Sequence, residues 1–370
     1  MQPHDSSVLC ESTASNAKCE YFFDNVINGK GDITSSYKKS VQPTVEQAMA
    51  GKSVAIIANS VPLNDFSPYL TTDEAVTGNQ CMLLSIVSQF LRPNPNSTKS
   101  AGTLPFSWYK VGCDKSENII DVFRSASGPQ NTEKDASLLL REVGRGRGMT
   151  VSGLVEVEIS NPSDIEAIIN HVIQVYAEGD DLLSSHSIFQ FVYTPKTVVK
   201  KPGTPNSKSI ITGQHDAPGV GRLSFIVLSS LTSYDYNTLS LAKIANHPLS
   251  AYHHDWVSKL DHIMDWINSG RPTPPYHKSR LVLLLRDVLC NRQPCVLLQC
   301  IDKFSASNSK NQKQTKSDVV SVQDMQEMYY DNMHKMFQIM SAISHTRDPK
   351  RASSNPFVFG AANTQSTTPA

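Results

Sequence analysis

The chain has 370 residues, 39% apolar and 18% charged, and its 34 Lys and Arg residues balance 34 Asp and Glu residues, so no overall charge draws it to nucleic acid or membrane. Its seven cysteines form no Cys-x-x-Cys pair, and the polar N-terminus lacks an apolar signal segment. Because no apolar run approaches the roughly 20 residues that cross a bilayer, we expect a globular, cytoplasmic protein without a membrane span.

The N-terminal part of the chain predicts an arm followed by alternating helices and strands. Residues 1–18 are polar and poor in apolar pattern, which predicts a flexible arm. Apolar periodicity then predicts a helix over Ser40–Gly51, a buried strand over Ser53–Ala58 and a helix over Asn79–Leu91. A helix, a glycine, a buried strand and a loop in this order are typical of an α/β sheet that carries a phosphate-binding loop.

The rest of the chain continues the alternation of strands and helices. Ser163 with Glu166 three residues later is a capping-box pattern and predicts the start of a helix with one apolar face. The lysine-containing stretch 194–221 is predicted to be a solvated loop. The further predicted elements are a strand pair at Phe106–Val111 and Asn118–Phe123, helices at Trp256–Ile267, Leu281–Leu289 and Ser321–Ile343, and a strand at Cys295–Ile301.

Five segments resemble the kinesin motor domain in sequence and in order. Pro274–Leu289 is similar to the family's H-V-P-[FY]-R-x-S-K-L-T-x-L-L-x-D-S-L-G, and Arg222–Thr232 is similar to its strand and switch II, [KR]-L-x-F-[IV]-D-L-A-G-S-E. The supporting segments are Tyr21–Ile27, similar to the strand F-x-F-D-x-V-F, Gly148–Val157, similar to the hairpin V-x-G-L-x-E-x-x-V, and Ser185–Phe189, similar to the end of switch I, S-H-S-x-F.

The resemblance implies an α/β, P-loop NTPase fold of the kinesin type, with a central, mostly parallel β-sheet and helices on both faces. It implies one such domain over 19–345, between the arm at 1–18 and a flexible tail at 346–370. The strand that opens a kinesin head is not legible in the arm.

The nucleotide site implied by the resemblance is altered in three separate places. Asp65 and Phe66 stand where the family has a Gly and the phosphate-binding Lys, which removes the charge of the loop. Ser184 replaces the switch I Arg, and Val227 replaces the switch II Asp that organises magnesium-bound water. The positions of this degenerate site are Ser60, Asp65, Phe66, Ser67, Ser184, Ser185, Val227, Ser230 and Thr232.

These replacements predict a protein with no catalytic residue, nucleotide cofactor or metal ion. We expect Phe66 to pack inward, and Ser185 and His186 to serve the core. Adjacent histidines at 253 and 254 have no further ligand at a suitable spacing.

The chain is locally basic in its last third. Between Arg271 and Lys316, nine Lys and Arg residues stand against two Asp residues, a local excess of seven in a chain without net charge. The alternative stays open that Arg286 and Asp287 serve the fold and that the other charges keep the region solvated. The residues that the resemblance implies as microtubule contacts are Arg271, Lys278, Arg280 and Arg292.

The sequence therefore predicts a kinesin-like domain without ATPase activity, which acts as a microtubule-binding or scaffold module of the cytoskeleton in cell migration or transport. Its expected partners are microtubules and either another kinesin or a signalling protein. Two alternatives stay open: a weak ATP-dependent microtubule motor, and a non-catalytic partner subunit of an active kinesin. The lack of a heptad array argues against the second alternative.

Overall fold

The computed structural model describes the central sheet of the chain and the helices around it. The described residues are 7–11, 18–22, 37–59, 82–92, 104–113, 116–126, 138–142, 148–176, 185–194, 220–228, 248–290 and 292–299, with the helical residues Lys335, Gln338, Ile339 and Ile343. The strands are β1 (Ser7–Glu11), β2 (Lys18–Phe22), β3 (Ser53–Asn59), β4 (Leu104–Gly112), β5 (Ile119–Asp121), β6 (Leu139–Glu142), β7 (Met149–Ser152), β8 (Val157–Ile159), β9 (Ser185–Tyr193), β10 (Gly221–Leu228) and β11 (Cys295–Gln299). The helices are α1 (Gln42–Met49), α2 (Met82–Leu91), α3 (Val122–Ala126), α4 (Pro162–Tyr176), α5 (Pro248–Asn268) and α6 (Arg280–Leu289).

Strand β3 lies inside the sheet because both of its faces are apolar. Val54 and Ile56 belong to one hydrophobic cluster, whereas Ala55 and Ile57 belong to the other. An uninterrupted apolar run suits a strand that helices cover on both sides. The strand predicted at this place is confirmed.

The main sheet has the strand order β11-β3-β10-β9-β4-β5, and β8 also pairs with β4. Strands β11, β3 and β10 are parallel to one another. Strand β9 is antiparallel to both β10 and β4, and β5 and β8 are antiparallel to β4. The predicted α/β fold is thus confirmed. Its sheet was predicted to be mostly parallel; the three strands of its core are parallel, whereas the pairs beyond β10 are antiparallel, so the sheet as a whole is mixed.

Helices cover both faces of this sheet. Helices α1, α2 and α4 contribute to the first hydrophobic cluster, and α5 and α6 contribute to the second together with Ile339 and Ile343. The apolar face predicted for the helix around Trp256 is confirmed, because Trp256, Leu260, Ile263 and Met264 are all buried. Among the described residues, no helix combines the length and the apolar character that a membrane crossing requires.

Two predictions about strands are wrong. The arm predicted to be flexible contains β1, which pairs antiparallel with β2 and places Cys10 opposite Cys19. These two strands form a sheet of their own, apart from the main sheet. The segment Gly148–Val157 is not a hairpin, because β7 pairs with β6 and β8 pairs with β4. Local pattern shows that a segment is extended but does not say which strand it pairs with.

The predicted capping box at the start of α4 is also wrong. Helix α4 already begins at Pro162, so Ser163 lies within its first turn and cannot be the residue before the helix. The carboxylate of Asp164 accepts hydrogen bonds from the backbone N–H groups of Asn161 (2.8 Å) and Ser160 (2.9 Å). These bonds lower the pKa of Asp164. The strand predicted up to Phe123 ends two residues earlier, since Asp121 accepts from the N–H of Phe123 at 3.0 Å and begins α3.

Candidate functional site

The predicted nucleotide site falls at one edge of the main sheet. Parallel strands β3 and β10 end there side by side, with Asn59 opposite Leu228. Strand β9 begins at the same edge, because its Ser187 lies opposite Val227. The three altered segments of the sequence are therefore joined to strand ends that meet in one place, where α/β folds commonly bind ligands.

In the described part of this edge, Val227 is buried among apolar side chains. Its side chain is 1% exposed and belongs to the same hydrophobic cluster as Ala58 of β3. The side chain of a valine offers no oxygen to a magnesium ion or to its water. Ser187, the partner of Val227 in β9, and Ser185 at the start of that strand are also buried. The other positions of the degenerate site lie outside the described residues, as does the predicted packing of Phe66; they are Ser60, Asp65, Phe66, Ser67, Ser184, Ser230 and Thr232.

The structure places a basic side chain at this edge that the sequence did not single out. Lys110 of β4 lies opposite Ser187, in the row that continues to Val227, and its side chain is buried. Its only signal in the sequence is a lysine within an otherwise apolar strand. A basic group therefore persists near this edge although Phe66 replaces the lysine of the family's loop.

His186 is part of the core. Its side chain is buried, its Nε2 atom lies 3.5 Å from Cys113 Sγ, and its ring meets Trp256 edge to face at 5.2 Å. These contacts agree with the expectation that His186 serves the core, and they join the sheet to α5. In the described part of the chain, no three His, Cys, Asp or Glu side chains are grouped to hold a metal ion.

A buried carboxylate joins the turn between β4 and β5 to helices α5 and α6. Glu117 accepts from Lys259 Nζ at 2.9 Å, from Ser279 Oγ at 2.9 Å and from the N–H of Leu281 at 3.1 Å. Ser279 in turn caps α6, because its Oγ accepts from the N–H of Val282. Glu117 was missed in the sequence, since an acidic residue in a polar turn normally lies in water.

The four predicted microtubule contacts are exposed on the side of the molecule formed by α5, α6 and β11. The guanidinium of Arg271 lies 5.3 Å from the centre of the Trp266 ring, a cation–π distance. Arg280 also has a structural role, because its Nη1 donates to the carbonyl oxygen of Glu117 at 3.3 Å. Lys278 and Arg292 are exposed, and no described carboxylate forms an ion pair with either of them.

Arg286 and Asp287 hold the end of α6 in place. Asp287 is fully buried, and Arg286 Nη2 lies 3.1 Å from its Oδ2 and 3.1 Å from Glu142 Oε1 of β6. Burial lowers the pKa of Arg286, but the hydrogen bonds and charges of the two carboxylates outweigh it and raise the pKa. For Arg286 and Asp287, these contacts favour the alternative that their charges serve the fold.

An open groove of about 460 Å³ runs along this surface between the segment 273–277 and α6. Tyr276 contributes to its wall, and its hydroxyl lies 2.8 Å from Cys290 Sγ. Burial and then this hydrogen bond raise the pKa of Tyr276, whereas the positive charges of Arg292 and Arg286 oppose the rise. Both arginines also line the groove.

No protein-family model and no curated protein matches the sequence. The fold, however, is similar to the solved structure of a fast kinesin, described for its ATPase mechanism and its interactions with microtubules. The TM-score is 0.61 at 17% sequence identity, and the likeness covers 93% of this chain and 84% of that chain. The chain thus has a kinesin motor fold, as the resemblance of its segments implied.

Proposed function

We propose that this protein is a kinesin-like module of the cytoskeleton that binds microtubules, or serves as a scaffold on them, without hydrolysing ATP. The observation that carries the proposal is the exposed basic group of Arg271, Lys278, Arg280 and Arg292 on one side of a kinesin fold. An exposed excess of positive charge attracts an acidic protein surface and steers its approach. The fast kinesin of similar fold is itself described as interacting with microtubules.

Loss of ATP hydrolysis is proposed from the sheet edge. Catalysis of phosphoryl transfer depends on groups that hold magnesium and neutralise phosphate charge. Buried Val227 supplies neither function, and Phe66 carries no charge where the family has its lysine. Binding to microtubules should then be indifferent to nucleotide.

Sedimentation with microtubules across a salt series, with and without ATP, tests the proposal. Because charges in solution are screened beyond about 10 Å at 0.1 M salt, a complex held by the basic group should weaken steeply as salt rises. The variant Lys278→Glu/Arg292→Glu avoids Arg280, which also holds Glu117, and should pellet much less than the wild type.

The matched control is Lys38→Glu/Lys52→Glu, which makes the same change of charge at exposed lysines beside α1, on the other face of the sheet. It should pellet like the wild type. Failure of the wild type to pellet at low salt, or equal pelleting of the two variants, would contradict the proposal.

The second candidate is a weak ATP-dependent motor. It is favoured by the kinesin fold itself and by Lys110, a basic residue near the edge where the family binds phosphate. Pelleting that changes with nucleotide, together with microtubule-stimulated ATP turnover, would support this candidate over the first. The remaining alternative, a partner subunit of an active kinesin, would show as a stable complex with that kinesin in the absence of microtubules.

A further inference from the structure

The groove beside α6 is a cationic site with a hydroxyl on its rim. Thr273 lines it together with His277, Arg286 and Arg292, and Leu283 contributes apolar surface. No Asp or Glu among the described residues lines the groove. Arg286 already meets Asp287 and Glu142 through Nη2, but its buried Nε makes no hydrogen bond within the described part of the chain.

Thr273 is accessible to an enzyme. It ends a run of six exposed residues, Asn268 to Thr273, in which only the first belongs to a helix. Its φ of 52° lies in the left-handed region, which is unfavourable for a β-branched residue, and Gly270 with a φ of 66° precedes it. A segment outside helices and strands can be drawn into the extended shape that a kinase requires at small cost in hydrogen bonds.

The residue that follows is Pro274, so the exposed hydroxyl belongs to a Thr-Pro pair. Thr194, which Pro195 follows in the sequence, is exposed directly after the end of β9, but it does not line the groove. The two pairs share the local sequence signal and differ in their electrostatic surroundings. Thr194 is therefore an internal control for any effect that depends on the arginines.

A phosphate on Thr273 would suit this groove. Phosphothreonine carries about −1.5 to −2 charges at neutral pH and three acceptor oxygens, and it binds best beside arginine. Arg292 and Arg286 lie on the groove, and His277 adds a further nitrogen donor. The modification would place these charges directly in the basic surface that contains Arg271 and Lys278.

We propose that Thr273 is a phosphorylation site for a proline-directed protein kinase, and that its phosphate docks in the groove against Arg292 and Arg286. In the reaction the Thr273 hydroxyl oxygen forms a bond to the γ-phosphorus of ATP, and the bond between that phosphorus and the β,γ-bridging oxygen breaks. ADP leaves, and the hydroxyl proton passes to the base of the kinase. The phosphorylation does not rest on the proposed microtubule function, but its expected consequence, weaker binding to an acidic surface, does.

The test uses the full chain, magnesium ATP and a proline-directed kinase, with each phosphorylated site assigned by mass spectrometry. Thr273 should be phosphorylated in the wild type and in Thr273→Ser, and the signal should vanish in Thr273→Val. Phosphorus NMR then gives the second pKa of the phosphate on Thr273 or on Thr194, each measured in a background that keeps only that site. The other Thr-Pro threonines are changed to Val, and Ser67, which precedes Pro68, is changed to Ala; these further sites are Ser67, Thr204 and Thr368.

The second pKa of a docked phosphate on Thr273 should be about one unit lower than that of the phosphate on Thr194, because nearby guanidinium groups favour the dianion. Arg292→Gln should remove most of this difference, and Arg292→Lys should keep part of it. An unmodified Thr273, under conditions that phosphorylate a peptide of its sequence, would overturn the proposal. Equal titration of the two phosphates, or a shift that survives Arg292→Gln, would overturn the docking.

Weaker pelleting of the phosphorylated protein with microtubules would add the regulatory consequence. If the unmodified protein does not pellet at all, the proposed function fails while the phosphate titration still decides the present inference.

Discussion

Val227 shows at the scale of one side chain how the sheet edge differs from a magnesium site. Val227→Asp restores the family's residue but buries a carboxylate in a hydrophobic cluster, so we expect a loss of about 3 kcal/mol or more of unfolding free energy. Denaturant unfolding measures the loss, and Val227→Ala, which only removes methyl groups, should cost less. If the aspartate variant were as stable as the wild type, water would have to reach this edge.

Gly221 is required by a close backbone approach. A Cβ atom at this position would lie 1.7 Å from the carbonyl oxygen of Ala48 in α1, and a backbone atom cannot move aside cheaply. We expect Gly221→Ala to cost at least about 3 kcal/mol or to prevent folding. Gly270→Ala is the control, because its Cβ would meet nothing within 4 Å and only the positive φ opposes it; a thermal melt should show the smaller effect there.

At the scale of an element, Asp164 should stabilise the start of α4 in a pH-dependent way. Backbone hydrogen bonds from Asn161 and Ser160 lower the pKa of its carboxyl, so its stabilisation is present above the ordinary Asp pKa and is lost as pH falls through the folded-state value. Asp164→Ala should therefore be less stable than the wild type at neutral pH, and the gap should close in acid. Ser163→Ala should change little, whereas a larger effect of Ser163 would restore the capping box predicted from the sequence.

Glu117 controls the position of two helices at once. Glu117→Gln should cost about 2 to 3 kcal/mol, less than for a fully buried ion pair because the Lys259 side chain is 26% exposed. A double-mutant cycle with Lys259→Met isolates the coupling. Glu142→Gln, which breaks an ion pair whose carboxylate is 50% exposed, should cost less than about 1 kcal/mol. If Glu117→Gln and Glu142→Gln lost equal amounts of unfolding free energy, Glu117 would not have a special role in joining α5 and α6.

At the scale of the whole molecule, the fold should be indifferent to nucleotide. A ligand present at 100 times its Kd stabilises a protein by about 2.7 kcal/mol, which is a shift of several degrees in Tm for a domain of this size. We expect millimolar magnesium ATP to leave the Tm unchanged, because Phe66 and Val227 replace the family's charged groups. A clear upward shift in differential scanning calorimetry would instead favour the weak motor.

Most elements of the main sheet and their order were predictable from local sequence patterns. The apolar run of β3, the amphipathic α5 and the basic segment before α6 were all legible, because their signals are local periodicities that burial on a sheet or helix face requires. The five resembling segments added the fold class, since their order fixes the succession of strands and helices.

Contacts between groups far apart in the chain could not be predicted from local patterns and depend on how the elements pack. Glu117 and Ser279 are 162 residues apart, and no local pattern shows that a turn carboxylate will lie against the start of a helix. Three other features also bring together residues that are distant in the sequence. They are the pairing of β7 and β8 with their partner strands, the row from Lys110 to Val227, and the groove lined by Thr273 and Arg292. Each depends on the register and packing of elements far apart in the chain, and hydrophobic periodicity specifies that a face is buried without specifying what covers it.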